Sequence, residues 1–147
     1  MTIRSTTAVR PAAVDLAFWL WLGALGAGLA EMLLRWEEAG PAGIVVRTGL
    51  YAVLALVMVR MRDGRNWARL TLAVGLGVLG TLSLIIEPIG WLLDGNDLGA
   101  AIERADLTAL LVAGSRVLHL LCVLAATPLM FTGPAADYFK TTRTATQ

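Results

Sequence analysis

Five ionisable side chains, Glu31, Arg47, Glu87, Arg116 and His119, lie inside stretches apolar enough to cross a membrane. A charge at bilayer depth costs at least about 2.5–3.5 kcal/mol on the most lenient scale, so such groups face protein, a partner or water rather than lipid. Two carboxylates and two guanidinium groups invite ion pairing, Glu31 or Glu87 with Arg47 or Arg116, because an arginine fork can meet a carboxylate bidentately. In the plainest reading these pairs lock helices together or snorkel to the surface. The sharper reading is a binding or proton-handling site open to the outside. His119 lies one helical turn below Arg116; histidine as a residue type can change charge near neutral pH, and Glu and His chains relay protons in membranes. A histidine on a helix face is more commonly a hydrogen-bonded packing residue, and one His with two Glu on different segments has no diagnostic metal-ligand spacing. The acidic turn Asp94-Gly95-Asn96-Asp97 lacks the remaining oxygen ligands of a calcium loop and reads as a helix start. No metal or cofactor is expected.

The elements that position these charges follow from composition. The chain has 147 residues, 57% hydrophobic and 16% charged, with a mean hydropathy of +0.70, well above an ordinary soluble domain. Four apolar segments, at 16–36, 43–59, 67–93 and 107–131, are each long enough at about 1.5 Å per residue to cross a core of about 30 Å, the second only just. The expected fold is all-α, a transmembrane four-helix bundle over 15–132, with a polar segment at 1–14 and a tail at 133–147. Arg4, Arg10, Arg60, Arg62, Arg65, Arg69, Lys140 and Arg143 fall on one side of these segments, and Glu37, Glu38, Asp94, Asp97, Glu103 and Asp106 on the other. The positive-inside rule then puts both termini in the cytoplasm. A cleaved signal peptide ending near Gly28-Leu29-Ala30 is the competing reading of the first segment, and it leaves an odd number of spans.

Local signals refine the layout. Asp15 is expected to cap the first helix and Asn66 the third. Glu37, Glu38, Gly40 and Pro41 suit a tight reversal, and Pro88 is expected to kink or end the third helix. Residues 98–106 form an outer helical lead, and 141–147 a polar end. Trp19 and Trp21 are read as anchors at the inner interface, Trp36 and Trp91 at the outer one.

Helical spacing puts Glu31 on a face with Ala24, Ala27 and Gly28, Glu87 with Ala73, Gly77, Gly80 and Ser83, and Arg116 and His119 with Ala109 and Ala113. Small residues mark close helix contact in membranes, so the charges are expected to point inward. From the outer boundary, Glu31, Arg47 and Glu87 lie roughly 6–8 Å down, Arg116 roughly 13 Å and His119 roughly 18 Å.

Catalytic signatures are absent. Ser83 and Ser115 have no nucleophile context, and the Gly75, Gly77 and Gly80 run reads as helix packing rather than a phosphate loop. The lone Cys122 can form no intramolecular disulfide. A net charge of +1 gives no reason to expect nucleic acid.

The loop Gly64-Arg65-Asn66-Trp67-Ala68-Arg69 opening a span, with the ending Tyr138-Phe139-Lys140, resembles small four-span membrane proteins common in actinobacteria. The resemblance covers the hydropathy layout, and its sharp part is the six-residue loop. It implies a bacterial plasma-membrane protein and assigns no activity. Physically, Arg60, Arg62, Arg65 and Arg69 beside an anionic leaflet, with Trp67 at the interface, set orientation or offer a docking surface, each cation contributing about 1 kcal/mol. The expected function is a non-enzymatic accessory or scaffold subunit of a homo- or hetero-oligomer with a membrane-protein partner. The alternatives are a small transporter or ligand- or lipid-binding protein with an outward cavity formed by Glu31, Glu87, Arg116 and His119, and, less favoured, a lipid-modifying enzyme using acid–base chemistry at the same carboxylate and histidine.

Overall fold

The computed structural model describes residues 9–144, without the side chains of Ala39, Glu87, Arg143 and Thr144. Arg4 and the side chains of Glu87 and Arg143 therefore lie outside the described residues. Among those residues the chain is all-helical, and four helices are long and apolar enough to cross a membrane, spanning Ala12–Leu34, Gly40–Arg62, Asn66–Leu93 and Leu107–Leu129. The elements are α1 (Ala12–Leu34), α2 (Trp36–Arg62), α3 (Asn66–Leu72), a π-helical stretch (Ala73–Gly80), α4 (Thr81–Leu93), α5 (Leu98–Arg104), α6 (Leu107–Leu129) and α7 (Gly133–Thr144).

Helix α1 packs mainly on α6 and also on α2. Its Ala17, Ala24 and Ala27 are buried, which lets the neighbouring backbone come close. Gly23 serves the same approach, since a Cβ there would stand 3.2 Å from the Cys122 sulfur.

The best-buried core lies where the start of α1, the α2–α3 turn and α7 meet. Trp21, Met58, Met61, Leu72, Met130 and Phe139 are all fully buried there. Trp21 is thus a core residue rather than an interfacial anchor, and its indole N–H donates to the Met130 sulfur at 3.4 Å. Two residues along a helix is more than half a turn, so Trp19 faces out when Trp21 faces in. Trp19, Trp36, Trp67 and Trp91 are exposed.

Several local expectations are corrected. Helix α1 starts three residues before Asp15, with Pro11 in the cap position, extended and making no side-chain cap bond. Asp15 is left to accept from Arg62 Nε at 3.0 Å and Arg10 at 3.4 Å. Asn66 is the first residue of α3, with Arg65 in the cap position and no side-chain cap bond. Helix α4 continues through Pro88 to Leu93. The irregularity falls at Ala73–Gly80 instead, where the Thr81 hydroxyl reaches back to the Leu76 carbonyl at 3.5 Å. Gly75, Gly77 and Gly80 hold α-winding weakly, and the wider turn breaks the single small-residue face. Ala73 is buried whereas Ser83 is exposed.

The expected tail, which returns Tyr138 and Phe139 to the inner interface, instead forms α7 over Gly133–Thr144 and buries Ala135 and Phe139. Gly64 makes that docking possible. Its φ is +79°, and a Cβ there would sit 2.7 Å from the Thr142 hydroxyl. At the opposite end, Asp97 caps α5 through the Gly99 N–H at 2.8 Å, and Asp106 caps α6 through Ala109 N–H at 2.7 Å. The α1–α2 reversal turns on Arg35, which leaves helical geometry, and on Gly40, at φ +63°.

Candidate functional site

Helix α1 carries Glu31 four residues before the Arg35 break, on the side facing α6. Arg116 of α6 meets it: Nε and Nη2 each stand 3.0 Å from Glu31 Oε1. Both side chains are largely withdrawn from solvent, 18% exposed for Glu31 and 25% for Arg116. Arg35 approaches the same oxygen at 3.8 Å and pairs with Glu38 at 2.7 Å. Glu31, Arg35, Glu38 and Arg116 therefore form a charged chain linking α1, α2 and α6.

His119, one turn further along α6, reaches the Ala24 carbonyl with Nδ1 at 2.8 Å. A carbonyl oxygen only accepts, so Nδ1 carries a proton and donates it in this bond. On the other flank of α1, the Tyr51 hydroxyl of α2 donates to the Gly28 carbonyl at 3.1 Å. Gly28 allows this approach, since a Cβ there would also lie 3.1 Å from the phenol oxygen. One stretch of α1 is thus gripped from both sides through its own backbone carbonyls. Tyr51→Phe is expected to cost about 0.6–1 kcal/mol, the usual worth of a hydrogen bond between membrane helices, measured by denaturant titration of the purified protein. An unchanged midpoint would show that the phenol contributes nothing.

The structure thus brings Glu31 and Arg116 together, with His119 tied to the same helix pair. Arg47 stands apart, exposed on α2, and among the described residues no carboxylate approaches it within ion-pairing distance. The hydroxyls of Ser83 and Ser115 donate to the Gly80 and Val112 carbonyls, both at 2.8 Å.

A slot of about 750 Å³ opens beside Arg116, between α4 and α6. Leu84, Ile85 and Ile89 line one wall, Ala109, Ala113 and Val117 the other, and Arg35, Glu38 and Asp106 its polar end. The π-helical stretch explains its shape. Gly77 brings the third span onto α6, a Cβ there lying 3.1 Å from Thr127 Oγ1, and α4 touches α6 only sparingly beyond it.

The basic loop divides by role. Arg62 pairs with Asp15 and lies over the Phe18 ring at 4.7 Å. Arg69 sits between the rings of Phe131 and Phe139, at 4.7 and 4.8 Å, and donates to the Met130 carbonyl at 3.4 Å. Arg60, Arg65 and Trp67 are exposed.

Sequence reading missed Arg35 as a member of the charged chain, although its spacing from Glu31 (i+4) and Glu38 (i−3) was available. It also missed Tyr51, the aromatic seat of Arg69 and the slot, for which no local pattern signals.

Four helices long and apolar enough to cross a bilayer, in an all-helical chain, are the make-up of a multi-pass membrane protein. In comparisons with known proteins, no family model, no curated protein and no solved structure matches the chain.

Proposed function

We propose that the protein is a non-enzymatic accessory or scaffold subunit of a homo- or hetero-oligomeric complex in a bacterial plasma membrane, a four-helix bundle with both termini cytoplasmic. The orientation rests on the sidedness of the arginines. The function rests on Arg47. This guanidinium is exposed within an apolar span, and the α2 surface around it, Val45, Val46 and Leu50, is equally uncovered. In a bilayer that exposure is costly, and a neighbouring chain offering a carboxylate at the same depth offsets it. Glu31, Arg116 and His119 support the same reading, because the contacts they make, Arg116 to Glu31 Oε1 and His119 Nδ1 to the Ala24 carbonyl, join α1 to α6.

Native mass spectrometry of gently extracted protein tests this. The expected result is a stoichiometric partner or second copy that is lost in Arg47→Ala while the variant's melting temperature is kept. An isolated monomer in mild detergent, together with a deletion strain whose membrane complexes all stay intact, would overturn it.

A further inference from the structure

We propose that the third span has two windings: the π-helical stretch at Ala73–Gly80 takes up or releases one residue, and α4 turns as a unit against α6, which reshapes the slot between them. The inference does not rest on the accessory reading, since Arg47 takes no part in it.

The extra residue shows in the hydrogen bonding. The Thr81 N–H reaches the Leu76 carbonyl, five residues back rather than four, and the Thr81 hydroxyl lies 3.5 Å from the same oxygen. Gly77 sets the phase of the span, because it meets α6 at Thr127. In unbroken α winding, Leu84 and Pro88, seven and eleven residues further on, centre the face that Gly77 begins. One extra residue turns that face toward Ile85 and Ile89. All four line the slot, so either register presents apolar side chains to Ala109 and Ala113, and the two windings are close alternatives.

Packing leaves the outer half of the span free to turn. No described side chain of α4 is buried, and α4 touches α6 only sparingly. The following turn is tied to α4 by Asn96 Nδ2, which donates to the Trp91 carbonyl at 2.8 Å, and α5 beyond it buries no residue. The inner half is fixed instead, with Ala68, Leu72 and Ala73 in the core. Within the stretch, Val74, Val78 and Leu79 are more than half exposed, and three glycines favour α winding poorly. Rewinding by one residue turns α4 by about 100° and shifts it by about 1.5 Å. Ile85 and Ile89 then leave the centre of the slot beside Arg116, and Leu84 and Pro88 replace them.

Spin labels on cysteines replacing Leu93 and Leu118, both exposed, test this in the full chain in lipid bilayers, with Cys122→Ala as background. Two distances are expected, differing by up to about 8 Å, the chord of a 100° turn at the side-chain radius. Deleting Leu79 removes the extra residue while keeping the Ile85 register, and should leave one distance. Gly75→Ala with Gly80→Ala should enrich the other population by about fivefold, because alanine holds α winding better. Both alanines fit, since a Cβ at Gly75 meets open space and one at Gly80 makes ordinary contact at 3.5 Å. If the labelled chain folds poorly, crosslinking of Ala113→Cys with Leu84→Cys or with Ile85→Cys gives the same answer. The Leu84 yield relative to the Ile85 yield should fall at least about fivefold on the deletion and rise with the two alanines. A single distance in the otherwise unaltered chain, or a crosslink ratio that none of these changes moves, overturns the proposal.

Discussion

Phe139→Ala is expected to lower stability by about 3–5 kcal/mol, the ordinary cost of emptying a buried phenylalanine site. The ring is fully buried although α7 is not among the four apolar helices. Three contacts depend on it. It closes one side of the Arg69 guanidinium at 4.8 Å, packs edge-on to Tyr138 at 5.6 Å between centroids, and fills the core with Trp21 and Met130. Tyr138 in turn donates to the Arg62 carbonyl at 3.2 Å. Losing the ring should therefore release α7 as a unit. The checks are a denaturant titration, limited proteolysis between residues 133 and 144, and maleimide labelling of the buried Cys122, which should accelerate. Phe131→Ala, removing the half-exposed ring on the other side of Arg69, should cost only about 1 kcal/mol. If Phe139→Ala melts with the wild type and α7 stays protease-resistant, the packing of this end contributes little.

Glu31→Gln is the second large effect, expected at about 2 kcal/mol. It keeps the shape of the side chain and removes the charge that Arg116 meets at 3.0 Å, and hydrogen bonds to charged groups contribute about 1.5–3 kcal/mol. Arg35 is less affected because Glu38 holds it at 2.7 Å. Arg116→Gln should cost a similar amount. The double variant should lose less than the sum, with a coupling of about 1–2 kcal/mol, at the upper end for polar contacts between membrane helices. A double-mutant cycle in lipid micelles reads that coupling directly. Strict additivity would mean that the two groups stabilise the protein independently despite their geometry.

How much of this was readable in the chain differs residue by residue. The small-residue face of α1 around Glu31 was legible from period alone, and so was the candidate pair with Arg116, since few partners exist at a given depth. Which arginine takes the carboxylate was not legible. It depends on α6 rather than α2 lying against the Glu31 side of α1, and nothing local encodes that choice. Trp21 was misread because an aromatic near a span end fits an interfacial anchor as well as a core residue, and only its neighbours decide. Helix α7 was missed because the residues it buries, Ala135 and Phe139, are too few to form a visible stripe. The break in the third span was assigned to Pro88 from a strong backbone rule, whereas the glycine run earlier in the span is where the winding changes.

The sequence by itself determined the class of structure: long apolar runs oblige their backbones to form hydrogen bonds within the segment, so helices follow from composition alone. It also determined that buried charges need partners, because the cost of leaving them in hydrocarbon does not depend on fold. Only the tertiary structure decided that Glu31 is shared by Arg116 and Arg35, that Arg62 and Arg69 turn inward while Arg60 and Arg65 stay exposed, and that α4 diverges from α6 to leave a slot. Those outcomes are set by which helix faces come within a few ångströms, and contact between residues far apart in the chain has no periodicity to reveal it.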